Sequence, residues 1–181
     1  ATTNKGKILE FKEIIKSIDF LSFNDFKEVP PPPLETGATF EENVKIKARY
    51  YFDFFKAPVI CEDSGFCVEE LGGIPGVHSA DWGQDGDFTK AILKVYELLK
   101  GKPSTASFVS FICLKTKDRE IIVSGAINGT IAPEAKGKNG FGFDPCFIPQ
   151  GYTRTFAEME VAEKSLISHR KIAITNLLEM L

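Results

Sequence analysis

Two adjacent carboxylates, Glu62 and Asp63, follow the apolar run Pro58-Val59-Ile60-Cys61 and precede Ser64-Gly65. An apolar run this short, closed by Ser-Gly, reads as a buried strand ending in a tight turn. Ligands of open α/β sheets sit beyond the carboxyl ends of strands. Acids placed there offer a metal ligand or a general base. On these residues alone, a polar loop after a strand is the simpler reading.

Three other stretches carry chemistry. Thr2, Thr3, Asn4, Lys5, Gly6 and Lys7 precede Ile8, Leu9, Phe11, Ile14, Ile15 and Ile18, which recur at helical spacing. Free N–H groups at that helix start, with Lys5 and Lys7 alongside, make a phosphate cradle. A capped surface helix with solvated lysines fits the segment equally. The second stretch is Gly137-Lys138-Asn139-Gly140-Phe141-Gly142-Phe143-Asp144-Pro145. Glycines around aromatics let a ring stand against a flat ligand while the backbone approaches closely. There Asp144 either accepts from a base edge or holds the loop itself. The third is Lys164, Ser168, His169 and Arg170, around the first turns of a last helix over 163–181. Cations near a helix N-terminus oppose the macrodipole, which hints at an anion between them.

The elements that must position these groups are legible in outline. Thr39 followed by Glu42 is a capping box opening a helix whose core stripe is Phe40, Val44, Ala48, Tyr51 and Phe55. Locally, Glu42 reads as the capping glutamate. The prolines of 30–33 make an extended connector before it. A further helix spans 85–100, stopped by Gly101. Segments 106–114 and 120–127 form an antiparallel hairpin across a polar link, and 128–133 continues or bends its second strand. The Gly/Pro cluster 72–76 is a loop without dinucleotide or P-loop spacing, and His78 in it reads as a surface histidine.

Composition narrows the classes. The chain of 181 residues suits a single domain over 1–181, and an apolar fraction of 43% supplies a core. A net charge of −3 provides no basic field for nucleic acid. No apolar run approaches a membrane span. Four cysteines without CxxC spacing, and only two histidines, argue against structural zinc. Buried free thiols fit a reducing, cytoplasmic setting.

Taken together, five motifs in order resemble the inosine triphosphate pyrophosphatases, the Ham1-like family. They are Thr2-Thr3-Asn4-Lys5-Gly6-Lys7; Glu35-Thr36-Gly37-Ala38-Thr39-Phe40-Glu41-Glu42-Asn43 with Lys47; Glu62-Asp63-Ser64-Gly65 with Gly72-Gly73-Ile74-Pro75-Gly76; Phe141-Gly142-Phe143-Asp144-Pro145; and Lys164 with Ser168-His169-Arg170. The resemblance implies an α/β fold: an elongated mixed sheet with flanking helices, in two lobes around a central cleft. It also implies a homodimer and a first strand that would precede Ala1. The implied activity is Mg²⁺-dependent hydrolysis of ITP, dITP or XTP to the monophosphate and pyrophosphate.

The resemblance assigns roles. Glu42 and Asp63 hold Mg²⁺. Asp63 accepts the proton, and Glu62 supports it; both acids reach one ion only where the turn begins between them, since adjacent strand residues face opposite ways. Lys7, Lys47 and the cradle of residues 2–6 neutralise phosphates, and Ser64 contacts substrate. Phe141 stacks the purine, with Gly142, Phe143, Asp144, Lys164 and Ser168 around it. Donors from His169 and Arg170 favour a 6-keto base over adenine. Two departures are Ser79-Ala80-Asp81-Trp82 where members often read Ser-Ala-Arg-Tyr, and Phe143 in place of a usual Tyr. A Maf-like pyrimidine nucleotide pyrophosphatase and a non-catalytic nucleotide-binding module are the alternatives.

Overall fold

Side-chain alternation along one strand decides how the layers stack. The computed structural model describes residues 4–15, 21–83 and 86–181. Its elements are α1 (Lys5–Ile14), α2 (Phe40–Phe55), β1 (Val59–Val68), β2 (Pro75–Gly76), α3 (Ser79–Trp82), α4 (Thr89–Leu99), β3 (Thr105–Lys115), β4 (Glu120–Ile131), β5 (Phe147–Pro149), α5 (Val161–Ile167) and α6 (His169–Glu179). The sheet order is β2-β1-β3-β4-β5, and all four described pairings are antiparallel. The expected hairpin is β3–β4, with Lys115 opposite Glu120. Among the described residues no helix is long and apolar enough to cross a membrane.

In β1 odd and even residues serve different helices. Cys61, opposite Cys113, packs with Val44, Ala48 and Tyr51 of α2, the stripe expected from sequence. Across the sheet, Ile112, opposite Glu62, packs with Phe11 and Ile15 and with Ala173, Ile174 and Leu177 of α6. Burying side chains such as Ile174 and Leu177 contributes roughly 1.5–3 kcal/mol each. Further along the same face, Phe66, Val68 and Phe108 join Ile92, Val95 and Leu99 of α4 with Phe143, Phe147 and Phe156.

Three sequence expectations change. The strand does not end at Ser64-Gly65 but continues through Val68. Gly65 serves a close approach instead of a turn: a Cβ there would lie 2.3 Å from the Gly76 carbonyl oxygen and 2.7 Å from Ser79 Oγ. The loop containing Gly76 supplies the short strand β2, paired to Phe66 and Cys67. The last helix is two helices broken at Ser168, whose extended backbone ends α5 while its Oγ accepts from Lys171 N at 3.2 Å to cap α6. The fourth helix starts at Thr89; residue 85, proposed as its start, lies outside the described residues, as does Ile18 beyond α1.

Helix α6 sits on the sheet at Gly125 of β4. A Cβ there would fall 2.4 Å from both His169 O and Ala173 N. Backbone atoms cannot yield as a flexible side chain does, so Gly125→Ala must push α6 off β4. Overpacking of this kind costs about 1–3 kcal/mol. Urea unfolding of Gly125→Ala is expected to show a loss of that size against wild type; an unchanged unfolding midpoint would contradict the close seating of α6 on β4.

Candidate functional site

Over Val59–Gly65, β1 pairs with β3 on one edge, and no described strand covers the other. Glu62 and Asp63 lie on this open-edged stretch. Because the strand runs straight through them, they face opposite sides of the sheet. The turn that would have brought both acids to one ion is therefore not there, and their surroundings differ.

Glu62 belongs to the α1/α6 side and is buried. Its Oε1 accepts from Ser110 Oγ at 2.9 Å and pairs with Arg170 Nε at 2.7 Å; its Oε2 pairs with Lys7 Nζ at 3.3 Å. Arg170 in turn donates through Nη1 to Glu10 Oε2 at 2.6 Å and through Nη2 to Ser64 Oγ at 3.1 Å. Glu10 Oε1 meets Lys164 Nζ at 2.8 Å, and Lys164 reaches Asp144 Oδ2 at 2.7 Å. The result is an alternating chain of three cations and three carboxylates, Lys7–Glu62–Arg170–Glu10–Lys164–Asp144, joining α1, β1, α6, α5 and the glycine loop. The anion that the basic start of the last helix called for is Glu10 together with Glu62.

Burial and pairing pull these groups in opposite directions. Burial pushes the Glu62 and Glu10 carboxyls up more than any single neighbour pulls them down, but Arg170 together with Lys7 and Ser110 at Glu62, and with Lys164 at Glu10, outweighs it and holds both below the usual range. For Asp144 burial wins over Lys164, and the net shift is upward. His169 is buried, stacked on Phe108 at 5.1 Å, and carries an unpartnered Nδ1. Burial, then the Arg170 charge, lowers its pKa well below the ordinary value, so the ring is neutral at pH 7.

Asp63 belongs to the α2 side. Its Oδ1 accepts from Lys47 Nζ at 2.7 Å, and Lys47 also contacts Glu35 Oε2 at 3.0 Å. The other oxygen, Oδ2, is buried without a hydrogen-bond partner. Burial lifts the Asp63 pKa and outweighs the opposing pull of Lys47. The Lys7 ammonium is destabilised mainly by burial, and it interacts with Glu62, Lys47 and Asp63 alike. The two faces therefore meet electrostatically around the open edge of β1, beside the N-terminus of α1. Asn4 caps that helix, its Oδ1 accepting from Lys7 N at 3.1 Å.

Among the described residues no three His, Cys, Asp or Glu side chains converge as a metal cage. Glu42 is exposed and spends Oε2 on the capping box, accepting from Ala38 N at 2.7 Å and Thr39 N at 3.2 Å. Among the described residues two buried carboxylate oxygens of this strand lack a hydrogen-bond donor, Glu62 Oε2, which Lys7 faces at 3.3 Å, and Asp63 Oδ2; the second suits a hard ion taking one or two carboxylates and completing its shell with phosphate and water.

The glycine loop is self-supporting. Asp144 Oδ2 accepts from Phe141 N at 2.8 Å as well as from Lys164, so Asp144 holds the loop. The Phe141 ring lies over Lys164 Nζ at 4.7 Å and Arg170 Cζ at 5.3 Å. It is seated on Gly6, where a Cβ would come within 2.5 Å of the ring. A cavity of about 110 Å³ opens between Gly6, Glu10, Phe141 and Lys164. Phe143 corrects its assignment to the site: it is core, stacked on Phe66 at 4.9 Å. A larger cavity of about 650 Å³ lies between Cys67, Thr105, Asn128 and Tyr152. It gathers no ionisable cluster, and the chemistry places the site at the smaller one.

Of the residues singled out in the sequence, Asn4, Gly6, Lys7, Ser64, Phe141, Lys164, Ser168, His169 and Arg170 come together, and Lys47 and Asp63 meet them at the β1 edge. Gly142 carries φ +65° beside the ring, a turn position suited to glycine. Thr2, Thr3 and the side chain of Lys5 lie outside the described residues. Glu10, Glu35 and Ser110 were missed. For Glu10 a signal existed: it falls among the helical-period positions Lys7, Phe11 and Ile14, where a charge needs a partner.

Replacing Glu10 by Gln leaves Arg170 and Lys164 without their shared anion, at a cost of about 3–5 kcal/mol near neutral pH. The Glu10 carboxyl is held below its ordinary 4.5. Its stabilising contribution is therefore complete above that value and is lost as pH falls through the depressed folded-state pKa. Urea unfolding of wild type and Glu10→Gln is expected to differ most at pH 6–7, with the gap closing only in acid. A gap that is small at pH 7 would contradict the ion-pair chain.

The comparisons with known proteins agree with this geometry. The sequence model of the Ham1 family matches residues 1–180. A dITP/XTP pyrophosphatase of Aquifex aeolicus (strain VF5) is 38% identical over 195 residues, covering 100% of this chain and 94% of its own length. Another, from Oceanobacillus iheyensis, is 40% identical over 184 residues, with 98% and 93% covered. The solved structure of a HAM1 protein from Coxiella burnetii superposes with a TM-score of 0.88 at 35% identity, covering 99% of this chain and 95% of that one. The Ham1 protein of Staphylococcus aureus gives 0.87 at 32% identity, with 99% and 94% covered. With the family model spanning the whole fold, and the charge chain and open-edged carboxylate strand built from the family's motifs, this chain belongs to the Ham1 family.

Proposed function

We propose that the chain hydrolyses non-standard purine nucleoside triphosphates (ITP, dITP, XTP) to the monophosphate and pyrophosphate. Support comes from relatives named dITP/XTP pyrophosphatase that match over nearly the whole chain. The observation that carries the reading is Asp63: a buried carboxylate with one oxygen on Lys47 and the other unpartnered, at an open strand edge that Lys7 and the α1 N-terminus also approach.

An anionic chain laid along that edge meets Lys7, Lys47 and the free N–H groups of the first turn of α1. Asp63, shifted upward by burial, is the proton acceptor for the attacking water, since a general base works best with its pKa near the working pH. The water oxygen bonds to phosphorus, its proton goes to Asp63, and the anhydride bond between the α- and β-phosphates breaks to release pyrophosphate. Glu42 and Asp63 would hold Mg²⁺, which when bound screens the triphosphate charge and acidifies water.

Base choice falls to the cluster under Phe141. The guanidinium has five N–H donors; Glu10 and Ser64 accept from two of them, and Glu62 Oε1 lies 2.7 Å from Nε as an ion pair. A 6-keto oxygen accepts from such donors, whereas the 6-amino group of adenine faces them as a donor and leaves buried groups unpaired.

With Mg²⁺ present, pyrophosphate release from ITP and XTP is expected to exceed that from ATP by about 100-fold or more in kcat/KM, and chelation of the metal is expected to abolish it. Preference for ATP would overturn the proposal. Preference for dTTP would move it to the pyrimidine class, and binding of ITP without turnover would make the chain a nucleotide-binding module.

A further inference from the structure

Ser110 takes no part in the proposed reaction, yet its side chain is a polar interruption in an apolar stripe. It lies on β3 directly opposite Ser64 of β1, flanked on the same face by the core residues Phe108 and Ile112. The residue is 0% exposed. Packing alone would be served by an apolar side chain, and a buried hydroxyl is costly unless it is bonded. Its Oγ donates to Glu62 Oε1 at 2.9 Å.

Glu62 stands between two cations with different duties. Arg170 Nε lies 2.7 Å from Oε1, and Lys7 Nζ lies 3.3 Å from Oε2. In the proposed reaction the first addresses the base and the second the phosphates. The terminal torsion of a glutamate is soft and roughly two-fold. Charge attraction has little directional preference, so two cations do not by themselves decide how the carboxylate is turned. A hydrogen bond does, because it weakens steeply away from its axis. Ser110 supplies that bond from the neighbouring strand, which the β1–β3 ladder holds in register. Among the described residues Oε2 accepts no hydrogen bond, so Lys7 is paired there without giving up an N–H. The guanidinium is thus framed by Glu62 and by Ser64, which accepts from Nη2 at 3.1 Å, with Ser110 fixing Glu62 from behind.

We propose that Ser110 is a positioning residue for base selection: its hydroxyl holds Glu62 Oε1 on the Arg170 side, so that the guanidinium keeps its aim at the base and Lys7 is left to the phosphates. This rests on the reading of the cleft as a hydrolase of 6-keto purine triphosphates. Ser110 touches no substrate in this role and acts through Glu62 on Arg170. Without the hydroxyl the carboxylate turns and the guanidinium tilts with it. A 6-keto oxygen then loses a directed donor, and adenine no longer faces a fixed one, so discrimination falls from both sides.

The test compares kcat/KM for ITP and for ATP, with Mg²⁺, in the full-length wild type, Ser110→Ala and Ser110→Cys. The ratio of the two values is read on one preparation of each protein, so a loss of folded enzyme cancels and a merely structural role leaves it unmoved. Ser110→Ala is expected to lower the ITP-to-ATP ratio by about tenfold. Ser110→Cys, which keeps a weak S–H donor in nearly the same volume, is expected to recover part of that loss. A ratio in Ser110→Ala within about twofold of wild type, the limit within which such effects are resolved, would overturn the proposal. So would a Ser110→Cys enzyme as unselective as Ser110→Ala. A wild type that turns over no triphosphate, or prefers ATP, would instead remove the hydrolase reading, and this role with it.

Discussion

Adjacent side chains on a β-strand point to opposite faces, and at Glu62-Asp63 that rule divides the site in two. Glu62 turns toward α1 and α6 and is locked by Lys7, Arg170 and Ser110. Asp63 turns toward α2, where Lys47 meets one oxygen and the other has no hydrogen-bond partner among the described residues. Had the strand ended in a turn between them, both acids would have shared one environment. Continuing the strand gives one carboxylate to the architecture and leaves its neighbour free for chemistry.

The rest of the site depends on how Glu62 is held. Six alternating charges, Lys7 to Asp144, tie five segments together, and Arg170 is the link that joins α6 both to the sheet, through Glu62, and to α1, through Glu10. Buried charges are costly to desolvate, and their attraction repays that cost only where geometry is good and further partners satisfy the remaining donors and acceptors. Arg170 meets that condition with three partners, and Glu10 meets it with two cations. The Ser168 break matters here: it starts α6 anew, so that Arg170 lies in a first turn, a position unfavourable for a cation unless anions face it. Gly125 lets that turn lie directly on β4. Over this framework Phe141 closes onto Gly6, covering both Lys164 and Arg170.

Much of this was legible in the sequence where local chemistry is decisive. The Thr39–Glu42 capping box, the Val44-Ala48-Tyr51 stripe and the β3–β4 hairpin all appear as their spacing predicts. Ser64-Gly65 misled because a glycine after a strand looks the same whether it makes a turn or admits a neighbouring backbone; only the approach of Gly76 separates the two. Phe143 looked like a ligand-facing ring because glycines surround it, yet Phe66 and Phe88 enclose it. Ser168 sits in an unbroken helical pattern, so the restart of the helix left no mark. Glu10 and Glu35 were passed over for a different reason. An isolated charge defaults to a solvated face, and the buried partner of Glu10 lies 160 positions away at Arg170; Glu35 stands in a quoted motif, but nothing in its local pattern marks its contact with Lys47 on the following helix.

The central claim is that neighbouring acids do different work, Glu62 holding the fold of the site and Asp63 serving the proposed reaction. Measuring unfolding free energy and ITP turnover together in Glu62→Gln and Asp63→Asn tests it most directly. The account predicts that Asp63→Asn keeps near-wild-type stability while turnover collapses, and that Glu62→Gln loses several kcal/mol of stability, about 3–5 for one broken member of a buried ion pair. An Asp63→Asn enzyme that hydrolyses ITP at an undiminished rate would contradict it.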